Sequence, residues 1–506
     1  MIFTELRFFP FFALAFCVAW ALRADRARKT WLLLCSYAFY AAWDWRFLGL
    51  IVGSTLLDHL AALRIEAAAG AGRQGARRAW LLASLTGNLG MLGFFKYWDF
   101  FAESANTLLM SLGFGSSLPV LNVILPVGIS FFTFQTLSYS IDVYRGQLRA
   151  TRSLLDVGLF VGFFPQLVAG PIVRASEFLP QLLQRPTWAS VELRPLLVLF
   201  LSGFIKKACV ADSLAPFVDG YFAVPAAYDA LSSWVAVTFY ATQIYCDFSG
   251  YSDMAIACAG LLGYRLTDNF RHPYLAASIT DFWRRWHISL STWLRDYLYI
   301  PLGGSRRGTL RTQANLMITM LLGGLWHGAA WNFVVWGGLH GLALIVHKGW
   351  RRVVGVRSAG LMAWLGPLLT FYWVCVAWVF FRTGSLDMGS RELRKELALD
   401  PELAEKLPGI SPVWLQQMAE LDGLEWSWTI LKSFVGLQSS GEWSFGWGRL
   451  GIFGVLAVAH VVASRGWASA AWRRLPDWGF ALAYGGLFGL AVNFVSGAKA
   501  FIYFQF

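Results

Sequence analysis

Long apolar runs, separated by short basic stretches and by glycine and proline, dominate the chain. Runs of roughly 17–25 residues, the length of helix that crosses a bilayer, fall near 3–22, 30–47, 47–63, 80–98, 119–142, 154–173, 196–213, 232–263, 313–347, 360–381, 447–464 and 478–497. The second and third are nearly fused, and 313–347 reads as one kinked helix or a short hairpin. The pattern predicts an all-α, polytopic membrane protein of roughly 11–13 transmembrane helices. Glycine and proline interrupt several runs, in GISFF, FFPQLVAGP and LLGGLWHG. Broken helices at membrane depth survive only where protein or a water-filled cavity meets their backbone polar groups. Re-entrant or broken helices around a central tunnel are therefore expected. No internal repeat is visible, which gives an inverted-repeat transporter no direct support. The first run carries Glu5 and Arg7 early with no basic region before it, so it reads as a membrane helix rather than a cleaved signal.

Charge adds an orientation. Only 14% of the 506 residues are charged, against about 25% in average soluble domains. The net charge of +12 comes from Lys and Arg lying between apolar runs. Topology and anionic lipid explain them better than nucleic acid does. Arg23, Arg26, Arg28 and Lys29, then Arg64, Arg73, Arg77 and Arg78, then Arg145, Arg149 and Arg152 mark alternate loops as cytoplasmic. The stretch 284–311 and the group Lys348, Arg351, Arg352 and Arg357 read the same way. The N-terminus is then extracytoplasmic, and so is the tail at 498–506. Three parts follow: a transmembrane core over 1–382, a polar extracytoplasmic insertion with short helices over 383–446, and C-terminal membrane helices with the tail over 447–506. Within the insertion, RELRKELALDPELAEKL (391–407) has helix-forming charges; it offers a docking surface or a solvated connection. Six scattered cysteines with no CxxC pair argue against a disulfide framework or zinc site, and no metal is expected.

The most informative chemistry is a histidine inside an apolar run. QANLMITMLLGGLWHGAAWNFVVWGGLHGLALIVH (313–347) holds His327 between Trp326 and Gly328. An ionisable group at membrane depth is costly, and its default reading is a functional site. A second, His287, lies in the charged stretch DFWRRWHISLSTWLRDYLYIPLGGSRRG (281–308). His340, in GGLHG, could line the same cavity or be a packed residue. His272 reads as a loop residue; His59, His347 and His460 read as structural, and Asp58 as a helix-packing residue.

Several long blocks resemble one family. PVGISFFTFQTLSYSIDVYRG (126–146), FFPQLVAGPIVR (163–174), YCDFSGYSDMAIACAGLLGY (245–264), DFWRRWHISLSTWLRDYLYIPLGGSR (281–306) and LLGGLWHGAAWNFVVWGGLHG (321–341) look like bacterial membrane-bound O-acyltransferases of the alginate O-acetyltransferase kind. The resemblance runs over nearly the whole chain. It implies an inner-membrane enzyme that moves acetyl from cytoplasmic acetyl-coenzyme A to an extracytoplasmic polysaccharide, with no bound cofactor. It implies that His327 is the catalytic base, as a group with a near-neutral pKa suits, and that His287 helps orient donor or base. Arginine binds phosphates well, so Arg284, Arg285, Arg306 and Arg307 become candidates for the donor, although any cytoplasmic loop would be basic. Gly323, Gly324 and Gly328 would let helices approach closely. The terminal FIYFQF places Phe501, Tyr503 and Phe506 in an F-x-Y-x-x-F arrangement. It resembles tyrosine motifs of envelope-acylating systems, which implies Tyr503 as acyl carrier; the bland reading is an aromatic membrane anchor. Lacking its own hydrolase domain, the chain would work with an extracytoplasmic SGNH-type transferase and a polysaccharide export or modification complex. Peptidoglycan, cellulose and teichoic acid remain open as acceptors. A transporter or flippase, or a non-enzymatic scaffold, are readings from other classes.

Overall fold

A computed structural model describes residues 1–115, 118–223, 225, 228–354, 361–399, 423–435 and 448–495. Among the described residues all regular structure is helical and no sheet forms. On length and composition, the helical stretches Asp25–Gly70 and Leu365–Ser385 are long and apolar enough to cross a membrane; Phe8–Ala21, Gly454–Ser464 and Asp477–Val492 are shorter apolar helices. Residues group into two compact units. Among the described residues, one lies within 1–205, 248–268 and 481–495, the other within 206–247 and 269–480.

In the first unit the fused runs are two helices, α1 (Asp25–Asp44) and α2 (Leu48–Gly70), joined by the 3-10 turn Trp45–Phe47. The run 80–98 begins earlier than expected, in α3 (Gln74–Leu92), and passes through a π-turn at Gly93–Tyr97 into a further helix, Trp98–Ser111. The expected span 119–142 is helical only in α4 (Ile129–Arg145). Gly128 sets that start: its φ is +78°, and a Cβ there would lie 2.8 Å from the Leu167 carbonyl oxygen, so only glycine fits. Asp58, with no exposed surface, accepts hydrogen bonds from Ser84, Asn88 (2.6 Å) and Ser140, tying α2, α3 and α4 together in the helix-packing role its sequence position suggested.

The run 154–173 is not one helix. It forms α5 (Leu154–Gly162) and the single turn α6 (Phe164–Leu167), with a break at Phe163 and irregular backbone over 168–174. Residues 156–173 are buried throughout. The stretch also returns to the side on which it starts. Near its start, Lys29 pairs with Asp156 at 3.0 Å. Beyond its end, Arg185 donates to the carbonyls of Arg23 (2.5 Å) and Leu22 (3.1 Å), and Gln181 exchanges bonds with the backbone of Arg265. Sequence reasoning read it as a crossing; these bonds bring both ends of the stretch to one segment, residues 22–29.

In the second unit the 313–347 run resolves into a hairpin, α7 (Thr309–His327) and α8 (Trp331–Val354). Their far ends meet where Arg352 donates to Thr309 Oγ1 at 2.9 Å. The 360–381 run belongs to α9 (Leu361–Leu399), which continues without a break through the expected boundary at 382–383. Of the polar insertion, Gly423–Phe434 is a helix whose Trp426, Ser427, Ile430 and Phe434 are buried. Its Ser427 and the Thr383 of α9 both receive bonds from Asn332 at 2.9 Å, so this part is packed rather than solvated.

Candidate active site

His327 is the last residue of α7. The helix stops because Gly328 turns extended (φ −161°, ψ 153°), and a Cβ on Gly328 would lie 2.2 Å from the Phe333 ring. Glycine elsewhere brings the hairpin to backbone contact: a Cβ on Gly324 would meet the Phe333 carbonyl oxygen at 2.1 Å, and one on Gly337 the Met320 carbonyl oxygen at 2.3 Å. The imidazole of His327 is 3% exposed. Trp326 and Trp336 stand edge-on to it, each at 5.0 Å between ring centres, with Phe381 at 5.2 Å.

The structure brings His287 to the same place, 6.4 Å from His327 ring to ring. His287 has no exposed surface and caps the helix Ile288–Leu294 in a left-handed conformation (φ 42°, ψ 55°), uncommon for a residue with a side chain. Two backbone bonds at 2.9 Å, Ile288 to Asn269 and Arg271 to Arg285, lay the 269–271 strand of chain alongside this turn. Asn269 Oδ1 accepts the Ser289 N–H (3.2 Å) and hydroxyl (2.9 Å), and lies 3.1 Å from His287 Nδ1. A backbone N–H can only donate, so the Asn269 atom is the oxygen. Nδ1 must then carry the proton, and in the neutral ring Nε2 holds the lone pair.

The remaining candidates divide. His340, on α8, has no exposed surface; its ring meets Trp336 at 4.7 Å, Trp283 at 5.0 Å and Phe282 at 6.0 Å. Trp336 thus lies between His327 and His340. Arg285 is half-buried with its Nε 3.0 Å from Asp281, and Arg284 is exposed; both end the short helix Ile279–Arg285, just before His287. Arg306 and Arg307 are exposed at the opposite end of α7 from His327, which the 19-residue length of that helix puts about 27 Å away. Tyr503 and the rest of the tail lie outside the described residues. Sequence reasoning missed Asn269 and the wall of Trp283, Trp336 and Phe381. The only signal was the density of tryptophan around the histidines, which also suits a membrane interface. Among the described residues no cluster of His, Cys, Asp and Glu has the makings of a metal site.

With the geometry in hand, similarity to known proteins gives the arrangement its context. The model of the membrane-bound O-acyltransferase family matches residues 127–386, a stretch containing His287, His327 and His340. The chain is 44% identical over 393 residues to a "probable alginate O-acetylase" of Azotobacter vinelandii, covering 77% of each chain. It is 43% identical over 396 residues to the protein of the same description in Pseudomonas aeruginosa, covering 77% of this chain and 74% of that one. A peptidoglycan O-acetyltransferase of Helicobacter pylori is 38% identical over 403 residues, 74% of each chain.

Proposed function

Because the chain belongs to the membrane-bound O-acyltransferase family, we propose that this O-acyltransferase takes acetyl from cytoplasmic acetyl-coenzyme A and passes it through the inner membrane to a polysaccharide hydroxyl, with alginate as the first candidate. The observation that carries the reading is the placing of His327: enclosed by aromatic side chains, at a helix end, with a second oriented imidazole 6.4 Å away. An aromatic, water-poor wall suits an acyl ester, and an imidazole there suits proton transfer.

The step balances as follows. The acceptor O–H gives its proton to an imidazole nitrogen of His327 while its oxygen bonds the thioester carbonyl carbon. The tetrahedral intermediate collapses, the C–S bond breaks, and the leaving thiolate takes the proton from the imidazolium. The products are an acetyl ester and free coenzyme A thiol. His287, with Nδ1–H fixed on Asn269, orients the donor or the base. In this reading the arginines hold the donor's phosphates; Arg306 and Arg307 serve only if the donor reaches along α7. Tyr503 is the proposed first acceptor, handing acetyl to an extracytoplasmic SGNH-type transferase within a polysaccharide-modifying complex. The Helicobacter relative makes peptidoglycan the second candidate polymer.

Purified protein incubated with acetyl-coenzyme A is expected to release thiol and to carry acetyl on its C-terminal peptide by mass spectrometry. His327→Ala is expected to lose both, by about 100-fold or more in rate. Wild type that releases no thiol, or undiminished release by His327→Ala, overturns the reading. An unmodified tail on an active wild type removes Tyr503 alone.

A further inference from the structure

The wall beside His327 holds polar atoms that the protein itself leaves unanswered. Both ring nitrogens of His340 are buried with no hydrogen-bond partner among the described residues, and so are the indole N–H groups of Trp283 and Trp336. The three rings form a triangle, with centres 4.7, 5.0 and 5.8 Å apart. Trp336 and His340 are 1% and 0% exposed. Buried polar groups are nearly always paired, and each exception calls for a reason. Three such residues in mutual contact, one ring from the candidate base, call for a common one.

Counting donors and acceptors identifies it. Each indole offers one N–H and no acceptor; a neutral imidazole offers one N–H and one lone pair. The triangle therefore presents three donors and one acceptor. A secondary amide answers three of these four groups, since its carbonyl oxygen accepts two bonds and its N–H donates one. We propose that Trp283, Trp336 and His340 form a binding site for the secondary amide nearest the sulfur in the acyl donor's thioester arm. This rests on the thioester donor proposed above and deepens it. In the pantetheine arm that amide stands two methylenes from the sulfur. Here two ring-to-ring steps, 4.7 and 5.0 Å, separate His340 from His327 across Trp336. An amide held in the triangle places the thioester carbonyl beside His327. His340 is thus a positioning residue, not a second base.

The test compares two small thioesters. S-acetyl-N-acetylcysteamine keeps the amide two methylenes from sulfur; S-ethyl thioacetate has none. Wild type is expected to prefer the first in kcat/KM, chiefly through KM. In His340→Phe and in Trp283→Phe, which keep an aromatic ring and remove nitrogens, the preference should fall about tenfold, on the order of one or two buried hydrogen bonds. A variant that merely disturbs folding lowers both rates together and leaves the ratio unmoved. An unmoved ratio in both variants, or a wild type without preference, overturns the inference and leaves His327 standing. If wild type turns over neither compound nor acetyl-coenzyme A, the thioester donor itself is wrong and this site falls with it.

Discussion

At the scale of single residues, the candidate base was legible and the residues around it were not. A histidine inside a run such as LLGGLWHGAAW stands out because hydrocarbon penalises it. Asn269 is an ordinary polar residue in a loop, 18 positions from the ring it orients, and nothing in its neighbourhood marks it. The strained backbone of His287 is equally silent in sequence, since left-handed φ is predicted readily only for glycine and asparagine. The structure makes Asn269 testable. Its oxygen fixes the His287 tautomer, so Asn269→Leu frees Nδ1–H and leaves the Ser289 hydroxyl and N–H without their acceptor. Turnover in the thiol-release assay should fall about tenfold or more. Asn269→Asp keeps an acceptor at the same position and should retain most of it. Equal loss in both would mean that the amide's own N–H matters, and that the tautomer assignment is wrong.

At the scale of elements, hydrophobic length found the helices but misplaced their breaks. The run 313–347 was ambiguous because AAWNF offers no proline or polar turn. What ends α7 is one glycine whose Cβ would strike the ring of Phe333, in the first turn of α8, a contact that hydrophobic length does not reveal. Glycine spacing foretold close packing at Gly324, and the structure extends it to Gly337 and Gly341 on the facing helix. Gly324→Ala and Gly337→Ala each place a methyl against a backbone carbonyl that cannot rotate away. Each should destabilise the protein by about 2 kcal/mol or more, read as a lowered unfolding midpoint in detergent. Gly338→Ala, whose Cβ would meet only the Leu321 side chain at 3.6 Å, should cost little. If all three behave alike, backbone contact is not what holds the hairpin. The same limit explains α9: composition turns polar after Arg382, so sequence drew a boundary, yet helix propensity carries the backbone on to Leu399.

At the scale of the whole molecule, the charge pattern contained a conflict that the fold of the first unit removes. The loop ending at Arg152 and the stretch 284–311, with its six arginines, both read as cytoplasmic. Three apolar runs lie between them, at 154–173, 196–213 and 232–263, and three crossings would put 284–311 outside. Length alone cannot tell a crossing from a stretch that enters and turns back. The hydrogen bonds of Arg185 to Leu22 and Arg23 can: they hold the chain just beyond the 154–182 segment against the basic loop that follows Phe8–Ala21. On the sequence reading of the other two runs, two crossings then remain, and charge and count agree. The buried, irregular 168–173 backbone fits the same picture, since such backbone survives at depth only inside protein. Cysteine placed at the exposed Gln184, in a background with the exposed Cys17 changed to Ser, should therefore behave as a cysteine at Arg26 does. Both should resist a membrane-impermeant maleimide in intact spheroplasts and react once the membrane is opened. Labelling of Gln184→Cys from outside while Arg26→Cys stays protected would make 154–173 a true span. It would also return the contradiction to 284–311, whose arginines would then lie on the wrong face to meet a cytoplasmic donor.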